Sequence, residues 1–238
     1  MTEPALQGVP DDLDDRTVRR AYRLWAPVYD VVCGSIFEQA RRSAAEAATA
    51  QGGRILEIGI GTGLSMEHYR KPGIALYGID LSSEMLARAQ RRLLSGRHPH
   101  VRQLEVMDAH RLDFADGFFD SVVAPFVITL VARPEQVLSE CVRVVRPGGQ
   151  IVLVSHFYSE RGLAARVERA AAAPLRRFGL RPEFPLDRLR RWAEADGRAE
   201  LLDCRKVGLF GSYTVVRFRR KEQAGAGGAP APAGEVSV

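Results

Sequence analysis

Three glycines alternate with other residues in Glu57-Ile58-Gly59-Ile60-Gly61-Thr62-Gly63. Glycines at this spacing let a backbone turn sharply and approach a ligand within van der Waals contact. A helix start placed just after them offers unpaired N–H groups to that ligand. A dinucleotide loop reads G-x-G-x-x-G, and here Leu64 stands where the last glycine would be. Glu57 just ahead of the loop would also sit badly beside a pyrophosphate. A less anionic nucleoside suits the loop better. Asp80 comes 21 residues after Gly59, at the end of a second apolar run, where a carboxylate can accept from both ribose hydroxyls. Asp108 ends a third run in Met107-Asp108-Ala109. Its carboxylate can take a hydrogen bond from the exocyclic amine of a purine, with Met107 on the ring face. Nowhere do His, Cys and carboxylates cluster at ligand spacing, so no metal is expected.

The elements that must position these residues alternate along the chain. Arg54–Ile58, Ile74–Asp80, Val101–Met107, Phe119–Pro125 and Gln150–Ser155 read as buried strands. Leu64–Tyr69 begins a helix that stops near Pro72. Ser82 or Ser83 caps a second helix, with Met85, Leu86, Ala89 and Leu93 on one face. Glu135–Val145 is a third helix, and Arg146-Pro147-Gly148-Gly149 is a turn. A helix-rich insert over 160–195 interrupts the alternation, and Leu201–Lys206 and Tyr213–Phe218 supply two more strands. Strands alternating with helices predict an α/β fold: a mostly parallel sheet with helices on both faces and ligands beyond the strands' carboxyl ends. The expected divisions are a disordered acidic segment 1–15, N-terminal helices over 16–50, the α/β domain over 51–222 with its helical insert, and a disordered Gly/Ala/Pro-rich tail over 223–238.

The chain has 238 residues, 46% hydrophobic and 26% charged, a composition that excludes wholesale disorder. Its three cysteines lie far apart and form no CxxC, so neither a disulfide framework nor a zinc ribbon is expected. The net charge is +5, and residues 1–15 contain five acidic residues and no basic one, so the rest is more basic than the total. Only three of the 34 basic residues are lysine, a bias that genome composition can also produce. No stretch reaches the roughly 18 apolar residues that a membrane-spanning helix requires. On a helical wheel Val18, Ala21, Tyr22 and Trp25 share one face, and Arg16, Arg19, Arg20 and Arg23 share the other. Such a helix suits an anionic lipid interface. It equally suits packing on the domain with its arginines in solvent.

The succession of EIGIGTG, YGIDLS, MDAHRLDFADGFFDSVV and RVVRPGGQIVLV resembles the class I S-adenosylmethionine-dependent methyltransferases over roughly residues 50–155. The resemblance implies a seven-stranded Rossmann-like sheet whose last strand is antiparallel. It implies S-adenosylmethionine as cofactor, S-adenosylhomocysteine as product, and a cofactor-binding set of Glu57, Gly59, Gly61, Gly63, Asp80, Leu81, Met107, Asp108 and Ala109. DNA amino-methylating enzymes carry a polar residue, two prolines and an aromatic after the fourth strand. Ala124-Pro125-Phe126-Val127 lacks that pattern, so no nucleic-acid substrate is expected.

Ala21-Tyr22-Arg23-Leu24-Trp25-Ala26-Pro27-Val28-Tyr29-Asp30, the stretch Ser155–Tyr158 with its Arg-rich insert, and Leu209–Phe218 are similar to the soluble bacterial phosphatidylethanolamine N-methyltransferases. Quinone-ring C-methyltransferases share the Tyr-Asp pair and the RPGG turn. The first likeness implies stepwise methylation of phosphatidylethanolamine toward phosphatidylcholine. Residues 160–191 hold nine arginines against four carboxylates, suited to gripping a head-group phosphate. Tyr22, Tyr29 and His156 are the candidate catalytic groups, and Phe126, His156, Tyr158 and Arg181 the candidate substrate-binding ones. An aromatic face stabilises the growing ammonium, and either His156 or a tyrosine hydroxyl accepts its proton, directly or through water; the alternative task for His156 is to hold phosphate. Arg16, Arg19, Arg20, Arg23 and Trp25 would meet the membrane. The expected partners are thus a phospholipid substrate and an anionic membrane surface, the expected location is cytoplasmic and peripheral on the inner membrane face, and a monomer is favoured. The competing readings are a quinone-precursor or other small-molecule methyltransferase, and a noncatalytic protein that senses the cofactor or binds membranes.

Overall fold

The computed structural model describes residues 37–157, 184–208 and 211–222. Seven strands form one sheet in the order β3-β2-β1-β4-β5-β7-β6. They are β1 (Gly53–Ile58), β2 (Ile74–Asp80), β3 (Val101–Val106), β4 (Phe119–Pro125), β5 (Val145–Ser155), β6 (Ala199–Val207) and β7 (Tyr213–Arg220). β1 pairs in parallel with β2 and β4, β2 with β3, and β4 with β5. β7, the last strand, lies antiparallel between β5 and β6. The expected Rossmann-like α/β sheet is therefore present. Its order reverses between β1 and β4, which opens a crevice at their carboxyl ends.

Apolar side chains on both strand faces explain why helices cover both sides. On one side α1 (Glu38–Ala48) and α2 (Ser83–Leu93) pack over Ile55, Leu76, Val123, Val152 and Val154. Ala40, Ala44, Ala45 and Ala48 are fully buried, and these small residues let α1 lie close to the sheet. The Ser121 hydroxyl on β4 donates to the Ala48 carbonyl over 3.0 Å, satisfying a helix-end acceptor inside the core. On the other side α3 (Pro134–Val144) and α4 (Leu186–Asp196) cover Leu56, Ile58, Val122, Ala124, Ile151 and Leu153. The Arg188 guanidinium of α4 grips the Glu135 carboxylate of α3 over 2.5 and 2.9 Å. Phe157, just after β5, packs edge-on against Phe184, just before α4, with ring centres 6.0 Å apart.

Three local expectations change. After the glycine loop the chain forms not an α-helix but a six-residue 3-10 helix, Leu64–Tyr69. Met66 and Tyr69, three apart and both fully buried, drive it, because side chains at i and i+3 eclipse in that helix. The Arg146–Gly149 segment is not a separate turn but part of β5. Phe119 pairs with Val145 and Ser121 with Gln150, so the surplus residues bulge out of the ladder. Arg146 donates to Asp120 across the bulge at 2.7 Å. β3 stops at Val106 and shows no inside–outside alternation, because it is a sheet edge with an exposed side. Ser82, rather than Ser83, caps α2, accepting from the Met85 N–H at 3.2 Å. Of the insert expected over 160–195, α4 is seen, and residues 158–183 lie outside the described residues.

Phe119 is fully buried among the rings of Tyr77, Phe114 and Phe118, with centres 4.9 to 5.4 Å away. Phe119→Ala is expected to lower the unfolding free energy by about 3–5 kcal/mol, read from urea denaturation.

Candidate active site

A cavity of about 140 Å³ opens at the switch between β1 and β4. Its wall takes residues from the ends of four strands: Ile58, Gly59 and Gly61 after β1, Ile79 to Ser82 after β2, Met107 to His110 after β3, and Pro125 to Val127 after β4. Met85, Leu130 and Val131 complete it.

Each of the three loop glycines has a positive φ: 72° at Gly59, 57° at Gly61 and 80° at Gly63. This is the left-handed region where side chains are strained. Sterics add a second reason. A Cβ on Gly59 would stand 2.3 Å from Val127 Cγ2, and one on Gly63 would stand 2.3 Å from Met66 Cε and 3.1 Å from Ala89 Cβ. At Gly61 a Cβ would meet nothing closer than the Gly59 carbonyl at 4.0 Å, so the bare backbone there faces open cavity. Arg92 of α2 donates to the Thr62 carbonyl at 2.9 Å and ties the loop from outside.

The Asp80 carboxylate joins two walls. One oxygen accepts from the Gly61 N–H and the other from the Ser82 N–H, each at 2.9 Å. Burial pushes its carboxyl above the usual range, opposed by N–H groups of Ser82, Gly61 and Leu81. Each carboxylate oxygen has a further acceptor position, enough for a pair of ribose hydroxyls. Asp108 lies at the end of the neighbouring strand, where the Met107 N–H donates to the Asp80 carbonyl at 3.1 Å. The Asp108 Oδ1 accepts from both the backbone N–H and the Nδ1 of His110, at 2.9 and 2.7 Å. The wall contains two carboxylates and no Arg or Lys side chain among the described residues. Such a surface repels phosphate and favours a cationic, phosphate-free nucleoside, so the residues fit a sulfonium cofactor.

Glu57 is not in this wall. It lies behind the loop, 2% exposed, and accepts from the Ser65 hydroxyl at 2.6 Å. Its other oxygen has no hydrogen-bond partner among the described residues. Burial pushes its carboxyl up to about 7, against the lowering effects of Ser65, Tyr69 and Arg41.

Phe126 lies in the wall with a φ of 59°, the one non-glycine residue in the left-handed region among those described. That conformation costs on the order of 1–3 kcal/mol and persists where surroundings over-determine it. Here the Phe126 N–H donates to Val154 at 2.7 Å, and the rings of Phe37 and Tyr213 pack at 4.6 and 5.4 Å. His156 follows β5, outside the cavity wall. Its Nδ1 donates to the Ser212 carbonyl at 2.7 Å, which leaves Nε2 as the acceptor of the neutral ring.

The cavity thus brings together Gly59, Gly61, Asp80, Leu81, Met107, Asp108, Ala109 and Phe126, while Gly63 and Glu57 support it from behind. Tyr22, Tyr29, Tyr158, Arg181 and the proposed membrane residues Arg16, Arg19, Arg20, Arg23 and Trp25 lie outside the described residues. Sequence reasoning missed Ile58, Ile79, Ser82, Met85, His110, Pro125, Val127, Leu130 and Val131 as wall residues. For His110 the available signal was its place two residues after Asp108. The loop residues carried none, since apolar side chains after a strand read equally as core. Among the described residues, no three His, Cys or carboxylate groups are placed to hold a metal, and no helix is long and apolar enough to cross a membrane.

A family model described as a methyltransferase domain matches residues 56–153. The chain is 41% identical to a protein of Cereibacter sphaeroides named phosphatidylethanolamine N-methyltransferase, over 86% of this chain and 98% of that one. It is 30% identical to a demethylmenaquinone methyltransferase of Renibacterium salmoninarum, over 74% of this chain and 77% of that one. Among solved structures, the cyclase SpnF superimposes with a TM-score of 0.71 at 20% identity, covering 90% of this chain and 98% of its own.

The buried Glu57 generates a stability prediction. Its raised carboxyl binds a proton more tightly in the folded state than in the unfolded state. The resulting stabilisation is complete below about pH 4.5 and fades as pH rises through about 7. Glu57→Gln is expected to gain melting temperature relative to the unaltered protein as pH rises from 5 to 8, measured by calorimetry.

Proposed function

Because the chain belongs to the class I S-adenosylmethionine-dependent methyltransferases, we propose that its acceptor is the amine of phosphatidylethanolamine and of its mono- and dimethylated products, methylated at an anionic membrane surface. The observation that carries this reading is the 41% identity to a phosphatidylethanolamine N-methyltransferase along almost the whole of that relative. The bound cofactor supplies a methyl group on a sulfonium.

The chain's own residues then have three tasks. Gly59, Gly61, Asp80, Asp108 and Ala109 hold and orient the nucleoside and its amino-acid arm. Pro125, Phe126, Val127, Leu130 and Val131 form an apolar wall that excludes water, where the attacking amine must be unprotonated. The Phe126 ring, with Tyr22, Tyr29 and Tyr158, offers aromatic faces to the nitrogen as its positive charge grows. A proton leaves the ammonium before each transfer, and His156 Nε2 is the assigned acceptor, directly or through water. Arg181 grips the head-group phosphate, and the basic face of Arg16, Arg19, Arg20 and Arg23, with Trp25, rests on the inner membrane face.

Quinone-precursor C-methylation is the second reading, favoured by the 30% identity to a demethylmenaquinone methyltransferase. It needs a ring carbon as nucleophile instead of an amine. Expression of this chain in a bacterium that lacks phosphatidylcholine separates the two. Mono-, di- or trimethylated phosphatidylethanolamine in the lipid extract is the expected result. Absence of all three, with rescue of a strain deficient in quinone methylation, would establish the second reading instead. Labelled cofactor turned over on liposomes likewise separates catalysis from cofactor sensing.

His156→Ala is expected to lower kcat/KM about 10²–10⁴-fold, the range typical of a lost proton acceptor. Unchanged kinetics would remove His156 from the reaction.

A further inference from the structure

The chain turns sharply where it leaves β4. Phe126 takes its φ of 59° at that point, and Val127, Leu130 and Val131 of the apolar wall follow. These residues form a compact turn, in which the Leu130 and Val131 N–H groups donate to the Val127 carbonyl at 2.8 and 3.3 Å. The turn is latched to β5 at two successive residues. The Phe126 N–H donates to the Val154 carbonyl at 2.7 Å, and the buried hydroxyls of Thr129 and Ser155 share a hydrogen bond of 2.9 Å. Val127 also packs against the glycine loop, so closely that a Cβ on Gly59 would stand 2.3 Å from its Cγ2. The direction in which the chain leaves Phe126 therefore decides where the wall stands relative to that loop.

A strained non-glycine backbone persists only where its surroundings over-determine it. The Val154 contact supplies part of that hold, and a ring from a distant part of the chain supplies more. Tyr213, the first residue of β7, meets Phe126 edge-on at 5.4 Å and Phe37 at 5.6 Å, and Phe37 closes the triangle on Phe126 at 4.6 Å. The connection from β6 to β7 leaves room for this ring. Gly208 has a φ of 81°, and a Cβ on it would stand 2.8 Å from Tyr213 Cδ2. The residue before Tyr213 is Ser212, whose carbonyl accepts from His156 Nδ1. The start of β7 thus touches both the turn at Phe126 and His156, although Tyr213 is not itself in the cavity wall. We infer that Tyr213 is a positioning residue for the methyl acceptor. By clamping Phe126 together with Phe37, its ring holds the turn that sets Val127, Leu130 and Val131 against the acceptor. The inference rests on the proposed function in one respect, since it takes the apolar wall as the acceptor's side of the cavity.

The test is methyl transfer by the full chain and by two variants, with calorimetric binding of S-adenosylhomocysteine to each. Tyr213→Ile removes the ring but keeps a residue that suits a strand, and Tyr213→Phe keeps the ring. The acceptor is phosphatidylethanolamine in vesicles, or demethylmenaquinone if the unaltered protein methylates only that. Failure of the lipid reading thus shows in the unaltered protein, before any variant is measured, and methylation of neither acceptor would overturn both. In Tyr213→Ile kcat is expected to fall on the order of 10²-fold, the scale of a group misplaced by about 1 Å, while affinity for S-adenosylhomocysteine changes far less. Tyr213→Phe should recover most of that loss. Unchanged kcat in Tyr213→Ile would overturn the inference. So would equal losses of kcat and of affinity, or a Tyr213→Phe as impaired as Tyr213→Ile. If Tyr213→Ile does not fold, Phe37→Leu takes its place by removing the other ring behind Phe126, and an undiminished kcat there would overturn the inference as well.

Discussion

The Asp80 carboxylate fixes the distance between the glycine loop and the start of α2. One oxygen is bound to the Gly61 N–H and the other to the Ser82 N–H, so the first and second crossovers of the sheet meet on a single side chain. The cavity takes its shape from this meeting. The Gly59 and Ile60 N–H groups tie the root of the loop to the Ile79 carbonyl at 2.8 and 3.0 Å, and the Asp80 contact extends that hold to Gly61. The same carboxylate suits a pair of ribose hydroxyls, so fold and recognition rest on one group. Its burial raises the cost of ionisation, and the N–H groups of Ser82, Gly61 and Leu81 offset that cost. A charged ligand-reading group is thus preformed rather than assembled on binding, which limits the ordering cost of association.

The central strands and the ligand loop were legible in the residues because two strong signals coincide there. Ile55-Leu56 and Val122-Val123 are apolar on both faces, which a buried parallel strand requires. The loop glycines occur where φ must be positive. The structure departs from the reading where one residue serves two constraints. Met66 and Tyr69 keep a helical look in sequence, yet their three-residue spacing into the core selects the tighter 3-10 helix. The RPGG segment reads as a turn because Pro and Gly punctuate turns, whereas β5 absorbs it as a bulge pinned by Arg146 and Asp120. His110 was illegible as a wall residue because nothing local distinguishes a histidine facing a cavity from one capping a loop. Its place in the wall follows only from the folded position of the segment after β3.

The two sides of the cavity are built differently. The side proposed for the cofactor relies on backbone N–H groups and carboxylates, whose positions the strand ends dictate. The side proposed for the acceptor is apolar and includes Phe126, whose strained backbone is held by Val154 and by the rings of Phe37 and Tyr213. Phe37 is also the residue from which α1 begins, so the start of α1 packs directly against the cavity wall. A fold does not by itself imply an activity, so the chemistry is set by the residues of the site.

The Phe157–Phe184 contact bears on how such chemistry can diverge. These rings stand at the two ends of residues 158–183 and touch each other. β5 and α4 hold those two ends together through their own packing on the sheet. Residues can therefore be inserted, deleted or exchanged between the two rings with little burden on the sheet. The sheet thus answers for the two ends alone and is indifferent to the length of chain that joins them.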